Sequence, residues 1–174
     1  MQTFSTNAIN LKAYVLNETD KIVVMYSEDK GLMRCVAKGV KKPKSKLGGR
    51  MEMLVANKLL LRKGKNLDTV AQADTINSFY KIRQDMDKMM YAIYCAEIII
   101  NFGVENDPSA EEVYSLFYNC LQKIADSSST VDVLLVVLRF QLQILQIVGY
   151  ALELDGCANC SLCVDEEELY FSIL

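Results

Sequence analysis

Residues 31–50, GLMRCVAKGVKKPKSKLGGR, join a strand pattern to a lysine-rich loop. Side chains alternate with a period of two at the start of this stretch, which places Arg34 and Lys38 on one face of a predicted strand. Pro43 lacks a backbone amide donor and the following glycine pair relaxes the backbone, so KKPKSKLGG is predicted to be a loop. The stretch therefore predicts a β-strand that leads into a basic surface loop.

Four other short stretches have the β-branched and aromatic composition of strands, and polar turns separate them. These stretches are residues 9–16, 22–27, 51–64 and 67–77. Five short strands with one long basic loop fit a small Greek-key barrel of the OB type over residues 1–77. Tyr14 and Tyr26 fall on these strands, where a tyrosine either stacks on a nucleic-acid base or packs in the core. We expect both to pack in the core.

Helical spacing takes over from about residue 78, so the predicted fold class is α+β, with a helical bundle domain over residues 78–154. Residues 79–103 are predicted to form one helix that ends at Gly103. Its predicted buried stripe is Phe79, Ile82, Met86, Met90, Ile93 and Ile100.

Two further helices are predicted in this domain. The first follows Pro108 and starts with Ser109 and Glu112 as a capping box, followed by an apolar stripe. Its stripe consists of Val113, Leu116, Phe117, Cys120, Leu121 and Ile124. The second covers residues 131–150 and is apolar almost all round. Because Arg139 and several glutamines interrupt it, we expect the central buried helix of a bundle and not a membrane span.

Charge is distributed unevenly along the chain. Residues 30–65 contain twelve Lys or Arg and the single acid Glu52, a formal charge of +11, whereas the whole chain carries −3. A basic lobe followed by an acidic one indicates a bound polyanion, and a solvated, positively charged turn is the alternative. Lysine meets phosphate as a point charge, so sequence-specific readout is not expected. The candidate DNA-binding residues are Arg34, Lys38, Lys41, Lys42, Lys44, Ser45, Lys46 and Arg50.

The composition argues against an enzyme. Histidine is absent, which removes the commonest general base, and no nucleophile with a partner base is visible. A phosphate-binding P-loop is excluded because Pro43 stands where that motif needs a glycine before Lys44 and Ser45. The N-terminus has no secretion-signal pattern, so we expect a cytoplasmic, nucleoid-associated protein with neither a membrane partner nor a small-molecule substrate.

Three segments, taken in order, resemble the bacterial recombination mediator family RecO. They are residues 37–49 (AKGVKKPKSKLGG), 79–99 (FYKIRQDMDKMMYAIYCAEII) and 138–160 (LRFQLQILQIVGYALELDGCANC). The resemblance implies an N-terminal OB fold, a helical domain and a small zinc-binding segment. It also implies a protein that binds single- and double-stranded DNA, anneals complementary strands, and helps load RecA onto DNA coated by the single-strand binding protein SSB, with RecR as partner.

The resemblance further implies that the helical domain receives the acidic, apolar C-terminal tail of SSB. The sequence does not place that groove. The basic residues available to it in this part of the chain are Lys81, Arg83, Lys88, Lys123 and Arg139.

The six cysteines fall into two groups. Cys35, Cys95 and Cys120 are scattered in apolar segments and are predicted to be buried, reduced thiols. Cys157 and Cys160 have the spacing of a zinc knuckle, and the resemblance assigns them to the first ligand pair. Because the chain ends before a second pair, residues 155–174 are expected to be the first half of a zinc-binding segment.

Cys163 is a candidate third ligand of this incomplete site, outside the family's pattern. Either zinc is bound there or the three thiols are exposed and reduced.

Two functions of different kinds remain open from the sequence. The first is a DNA-binding recombination mediator without enzymatic activity. The second is an RNA-binding OB-fold adaptor, which the lysine loop suits equally well. A preference for RNA over DNA at equal salt distinguishes the second from the first.

Overall fold

A computed structural model of the chain describes residues 2–152. The first half contains five strands: β1 (Thr3–Val15), β2 (Lys21–Ser27), β3 (Gly31–Ala37), β4 (Ala56–Arg62) and β5 (Asp68–Asn77). They close a barrel in the order β1-β2-β3-β5-β4. Neighbouring strands are antiparallel except β3 and β5, which run parallel. This strand order is that of an OB barrel, and it confirms the predicted α+β fold with an N-terminal OB-type sheet.

The fourth strand begins five residues later than the sequence pattern predicts. Gly49–Met51 forms a short 3-10 helix, and Leu54 has a left-handed φ of 61°. Two buried asparagines hold this segment, because Asn10 Nδ2 donates to the carbonyl oxygens of Arg50 and Glu52 at 2.9 Å and Asn57 Nδ2 donates to Arg50 O at 2.7 Å. These side-chain hydrogen bonds satisfy backbone carbonyl oxygens that have no partner strand within residues 2–152.

Side chains that point into the barrel form its core. They include Val23, Met25, Met33, Cys35, Leu59 and Leu61. Burial raises the pKa of the Cys35 thiol to about 12, so Cys35 is protonated at neutral pH. Cys95 and Cys120 are also buried, with their sulfur atoms 3.9 Å apart. The prediction of three buried, reduced thiols is confirmed.

The helical part contains α1 (Tyr80–Arg83), α2 (Met86–Phe102), α3 (Ala110–Asp126) and α4 (Thr130–Ile147). The prediction of one helix over residues 79–103 is wrong, because the chain breaks at Gln84 and starts again after Asp85. The Asp85 carboxylate accepts hydrogen bonds from the amides of Asp87 and Lys88, which makes it the N-cap of α2.

This break changes which face of α2 is buried. Met86 and Met90 were predicted to be core, but they are 86% and 56% exposed. Small residues make the contact instead, since Ala92, Cys95 and Ala96 are buried together with Ile99. Small residues such as alanine let two backbones approach closely and so can form a buried face. A search for large apolar residues alone does not find such a face.

The predicted capping box at Ser109 is absent. The Ser109 side chain makes no cap hydrogen bond, whereas the Asp107 carboxylate accepts from the Ser109 amide at 2.8 Å and from the Tyr26 hydroxyl at 2.9 Å. A capping box is found one helix later, between Ser129 and Asp132. The apolar stripe of α3 is confirmed in position: all its members are buried except Leu116, which is half-buried.

Helix α4 is buried on one side only within residues 2–152. Val133, Val137, Phe140 and Ile144 pack in the core, but Leu134, Leu135, Leu138 and Leu142 are exposed. The prediction of a helix buried all round is therefore wrong for the described residues. By length and composition alone α4 is apolar enough to cross a membrane. One face of α4 packs in the core, and Arg139 interrupts its apolar surface.

A second hydrophobic core joins the outer face of the barrel to the helices. Ile9, Tyr26 and Leu32 lie side by side on the outer face of β1, β2 and β3. Ile9 and Tyr26 are fully buried in the same cluster as Phe117, and Leu32 packs against it. The helices therefore cover one end of the outer face of this three-stranded sheet and leave its other end uncovered.

Gly31 fixes this junction. The Leu32 amide donates to Val104 O at 3.0 Å, and the Asn106 amide donates to Lys30 O at 2.7 Å. Gly31 itself has a φ of +69°, and a Cβ there would lie 2.5 Å from Val104 O. No other residue type fits this backbone without moving the α2–α3 connection away from the barrel.

Substituting Gly31→Ala should lower the free energy of unfolding by about 2–4 kcal/mol, because it combines a left-handed backbone with a backbone clash. Urea unfolding followed by circular dichroism measures the loss. Gly49→Ala is the matched control, since Gly49 has no atom within 4 Å of its built Cβ and no positive φ. Equal stability of the two variants would contradict this role for Gly31.

Candidate nucleic-acid interface

The lysine loop, defined as residues 38–48 between β3 and the 3-10 helix, presents its basic side chains to solvent. Lys38, Lys41, Lys42, Lys44 and Lys46 are all exposed. None of them forms an ion pair with any residue between 2 and 152. The structure thus brings five cations that lack an ion pair within this range onto one loop, which produces a strong positive potential there.

Both ends of the lysine loop are anchored to the barrel. Val40 is buried at the front and Met51 is buried just beyond the loop. At the front, the Gly39 amide donates to Asp20 Oδ1 at 2.7 Å, and the Lys41 amide donates to Thr19 O at 3.0 Å. The loop is therefore tied to the turn between β1 and β2.

Asp20 is the centre of this connection. The Gly39 amide and the side chains of Asn17 and Thr19 donate hydrogen bonds to it, which lowers the pKa of its carboxyl below the usual value. A lowered pKa means that the folded state favours the ionised carboxylate. The contribution of the Asp20 carboxylate to folding stability is therefore complete above the pKa that Asp20 has in the unfolded chain. This contribution is lost only as the pH falls through the lowered pKa of the folded state.

Ser45 shapes the loop from within. Its amide donates to Lys42 O at 2.9 Å, and its hydroxyl oxygen accepts from the Leu47 amide at 3.2 Å. Leu47 in turn packs on the barrel core. Among the candidate DNA-binding residues, Ser45 thus has a local structural role in holding the loop's turn.

Arg34 and Arg50 lie outside the lysine loop. Arg34 is exposed on the outer face of β3. Arg50 is half-buried, and its guanidinium lies 3.9 Å from Asp74 on β5, so one carboxylate already neutralises part of its charge. Arg34 and the five lysines therefore have no ion pair among residues 2–152, whereas Arg50 has one.

The sequence interpretation left two residues near this surface out of the candidate interface: Lys12 was not considered, and Tyr14 was expected to pack in the core. Tyr14 is 49% exposed, so the expectation that it packs in the core is wrong, whereas Tyr26 is fully buried as expected. The cause is a bulge in β1 between Asn10 and Lys12. Ala8 points into the barrel, and strict alternation would have turned Tyr14 inward as well. One extra residue reverses the faces that follow it.

The Lys12 ammonium lies 5.5 Å from the centre of the Tyr14 ring. It therefore places a positive charge over one face of an exposed aromatic ring.

A cavity of about 390 Å³ lies between α3 and α4. Its wall is apolar at Leu116, Cys120, Leu135, Val136 and Phe140, and polar at Asn119, Lys123, Arg139 and Gln143. Lys123 and Arg139 form no ion pair with residues 2–152. A half-open cavity with both apolar and polar walls, and with Lys123 and Arg139 in its lining, suits a ligand that combines apolar groups with negative charge.

The other three cations of the helical part have partners. Lys81 pairs with Asp126 at 2.8 Å, Lys88 Nζ donates to the carbonyl oxygens of Ala125 and Ser127, and the Arg83 guanidinium donates to the carbonyl oxygens of Ser78 and Met53. Lys88 thus caps the C-terminus of α3. Of the five cations that the sequence offered for a groove, Lys123 and Arg139 are the two that line one.

The candidate zinc ligands Cys157, Cys160 and Cys163 lie outside the described residues. Within residues 2–152, no three Cys, Asp or Glu side chains come together as a metal site would require. The zinc prediction therefore stays a prediction.

Comparison with known proteins gives two family matches that together cover nearly the whole chain. The model described as "Recombination protein O N terminal" matches residues 1–79, and "Recombination protein O C terminal" matches residues 83–173. The two matches follow the division between the barrel and the helices.

Curated relatives carry the same name. The "DNA repair protein RecO" of Acetivibrio thermocellus is 33% identical over 174 residues, which is 100% of this chain and 68% of the relative. That of Nostoc punctiforme is 40% identical over 123 residues, 71% of this chain and 41% of the relative. That of Desulforamulus reducens is 30% identical over 173 residues, 99% of this chain and 66% of the relative.

The chain thus spans between 41% and 68% of the length of these three relatives. An OB-type barrel, a helical part joined to it through one core, and matches to both family models agree on one assignment. The chain belongs to the RecO family of DNA repair and recombination proteins.

Proposed function

We propose that this chain binds single- and double-stranded DNA through the lysine loop, anneals complementary strands, and helps load RecA onto SSB-coated DNA. The observation that carries the proposal is the set of five exposed lysines on a loop anchored at both ends to an OB barrel. Membership of the RecO family supports the role in repair and recombination. The proposed activity needs no enzymatic step.

Annealing follows from charge alone. Two DNA strands repel each other through their phosphates, and a cationic surface that contacts both lowers this repulsion. Lysine side chains contact phosphates and leave the base edges free to pair with a second strand. The acidic helical part does not compete for the same phosphates, because its net charge has the same sign as DNA.

The cavity between α3 and α4 is the proposed binding site for the acidic, apolar C-terminal tail of SSB. Its apolar wall accepts the apolar side chains of such a tail, and Lys123 and Arg139 face its carboxylates. Placing this site on the helical part leaves the lysine loop free for DNA. RecR is the further partner that the family suggests. The family also suggests Cys157 and Cys160 as the first ligand pair of a zinc site, and Cys163 is proposed as a third ligand outside the family's pattern.

Substituting Lys42→Glu and Lys44→Glu together should weaken binding of single-stranded DNA by at least tenfold at low salt. Because each lost phosphate contact on a single strand removes about 0.7 from the log–log salt slope, the slope should fall by about 1.4. Fluorescence anisotropy of labelled DNA across a salt series measures both quantities. A matched RNA in the same series tests the alternative function, which a preference for RNA would favour.

Substituting Lys123→Glu and Arg139→Glu together should weaken binding of an SSB-tail peptide by roughly tenfold or more, since the tail would meet like charges at the cavity rim. Anisotropy of a labelled peptide measures this affinity.

The two double variants change the net charge equally and so serve as controls for each other. The loop variant should keep its affinity for the tail, and the cavity variant should keep its affinity for DNA. If either variant lost both affinities alike, a general effect of net charge would explain the data, and the assignment of two separate sites would be wrong.

Substituting Asp20→Ala should loosen the lysine loop, because the Gly39 amide loses its acceptor. Hydrogen exchange at the Gly39 and Lys41 amides should accelerate at neutral pH, where the ionised carboxylate normally makes its full contribution. Glu18→Ala removes one exposed carboxylate from the same turn and is the control. Unchanged exchange in Asp20→Ala would show that the loop is held by other contacts.

A further inference from the structure

The outer face of β1, β2 and β3 contains a second surface that the lysine loop does not account for. Register pairs Tyr14 with Ile22, and Ile22 with Val36, so these three side chains form one row across the strands. The adjacent row consists of Lys12, Val24 and Arg34. We call these two rows the Tyr14 platform.

The Tyr14 platform is the part of this face that the helices leave open. The next row, Ile9, Tyr26 and Leu32, is covered by the helical part, whereas Tyr14 is 49% exposed and Ile22 and Val36 are half-buried. The open area thus has an aromatic ring at one edge and an apolar floor beside it. Within residues 2–152, no side chain forms a hydrogen bond with the Tyr14 hydroxyl.

Positive charges flank this apolar floor on both sides. Lys12 and Arg34 lie on β1 and β3, on either side of β2, and adjacent strands are about 4.8 Å apart, so their backbones are separated by about 10 Å. Lys38 follows the end of β3 and leads into the lysine loop. Asp68 at the start of β5 pairs with Cys35, the neighbour of Arg34 on β3. The β4–β5 turn that carries Lys63 and Lys65 leads directly into Asp68.

We propose that the Tyr14 platform binds single-stranded nucleic acid by stacking an unpaired base on the Tyr14 ring while Lys12 and Arg34 contact the flanking phosphates. The inference rests on the proposed function and adds that this part of the interface selects single-stranded over double-stranded nucleic acid. A ring beside an apolar floor and flanked by cations matches a polymer that alternates flat apolar bases with phosphates. An apolar protein segment would leave these cations without partners.

Stacking on Tyr14 distinguishes single strands from duplexes. In a duplex each base face is already covered by its neighbours, so a tyrosine ring gains access only where bases are unpaired. Stacking occupies the face of a base and leaves its pairing edge free. A strand held on the Tyr14 platform is therefore able to pair with a complementary strand held by the lysine loop.

The test uses the absence of tryptophan from this chain. A Tyr14→Trp variant places a single indole on the platform, and its fluorescence should be quenched when oligothymidylate is added and should change little with a blunt duplex. Tyr80→Trp is the matched control, because Tyr80 is 60% exposed on α1, outside the platform. Its fluorescence should not be quenched by either DNA.

Affinity provides the second measurement. Tyr14→Ala should weaken binding of oligothymidylate by roughly 5- to 150-fold, the range for losing one stacked base. Duplex affinity and the salt slope should stay unchanged, since no phosphate contact is lost. Tyr14→Phe keeps the ring and should bind as the parent chain does. Circular dichroism confirms that each variant is folded.

The outcomes separate this inference from the proposed function. If the lysine variant loses DNA affinity but Tyr14→Ala does not, DNA binding stands and the Tyr14 platform is refuted. Equal losses for single strands and duplexes in Tyr14→Ala also refute it. If the parent chain binds neither DNA nor RNA at low salt, both proposals fail. An indole at position 14 that is already shielded in the free protein would show that a protein segment covers the platform.

Discussion

The burial of Ile9, Tyr26 and Leu32 beneath the helices is the contact on which the rest of the structure depends. These residues belong to the barrel, yet Ile9 and Tyr26 are fully buried in a cluster formed mainly by helical residues. The Tyr26 hydroxyl also donates to Asp107, whose carboxylate accepts from the Ser109 amide at the start of α3. One tyrosine thus links the outer face of the sheet to the first turn of a helix. Gly31 permits this contact, because a larger residue would collide with Val104 O.

This contact has a consequence for function. A small barrel has few faces, and the helices use one end of the β1–β2–β3 face for packing. What stays open is the end near the β1–β2 turn, where Tyr14 and Arg34 lie and where Asp20 ties down the lysine loop. Lys12, Arg34 and the lysine loop therefore lie toward the end of the barrel that the acidic helices do not cover. The separation of charge along the sequence becomes a separation in space.

Much of the fold follows from local patterns. The alternation around Arg34, the glycine and proline residues of the lysine loop and the stripe on α3 each specify structure over a few residues, and each prediction agrees with the structure. Predictions failed where a single residue shifted a period. A bulge before Lys12 reversed the face of Tyr14, and the N-cap at Asp85 restarted a helix and exposed Met86 and Met90. A one-residue shift reverses a strand and rotates a helix by about 100°, so large errors follow from small causes.

The sequence by itself determined the class of strands and helices, the basic loop and the family, because composition, period and charge are local properties. Only the tertiary structure decided which cations have a partner among residues 2–152. Lys81, Arg83, Lys88 and Arg50 have the same charges as Lys42 or Arg139, but they are engaged by partners distant in the sequence, such as Asp126, Met53 and Asp74. Whether a charge is available to a ligand depends on what lies within a few ångströms of it in space. Chain folding brings those neighbours together, and no local pattern contains them.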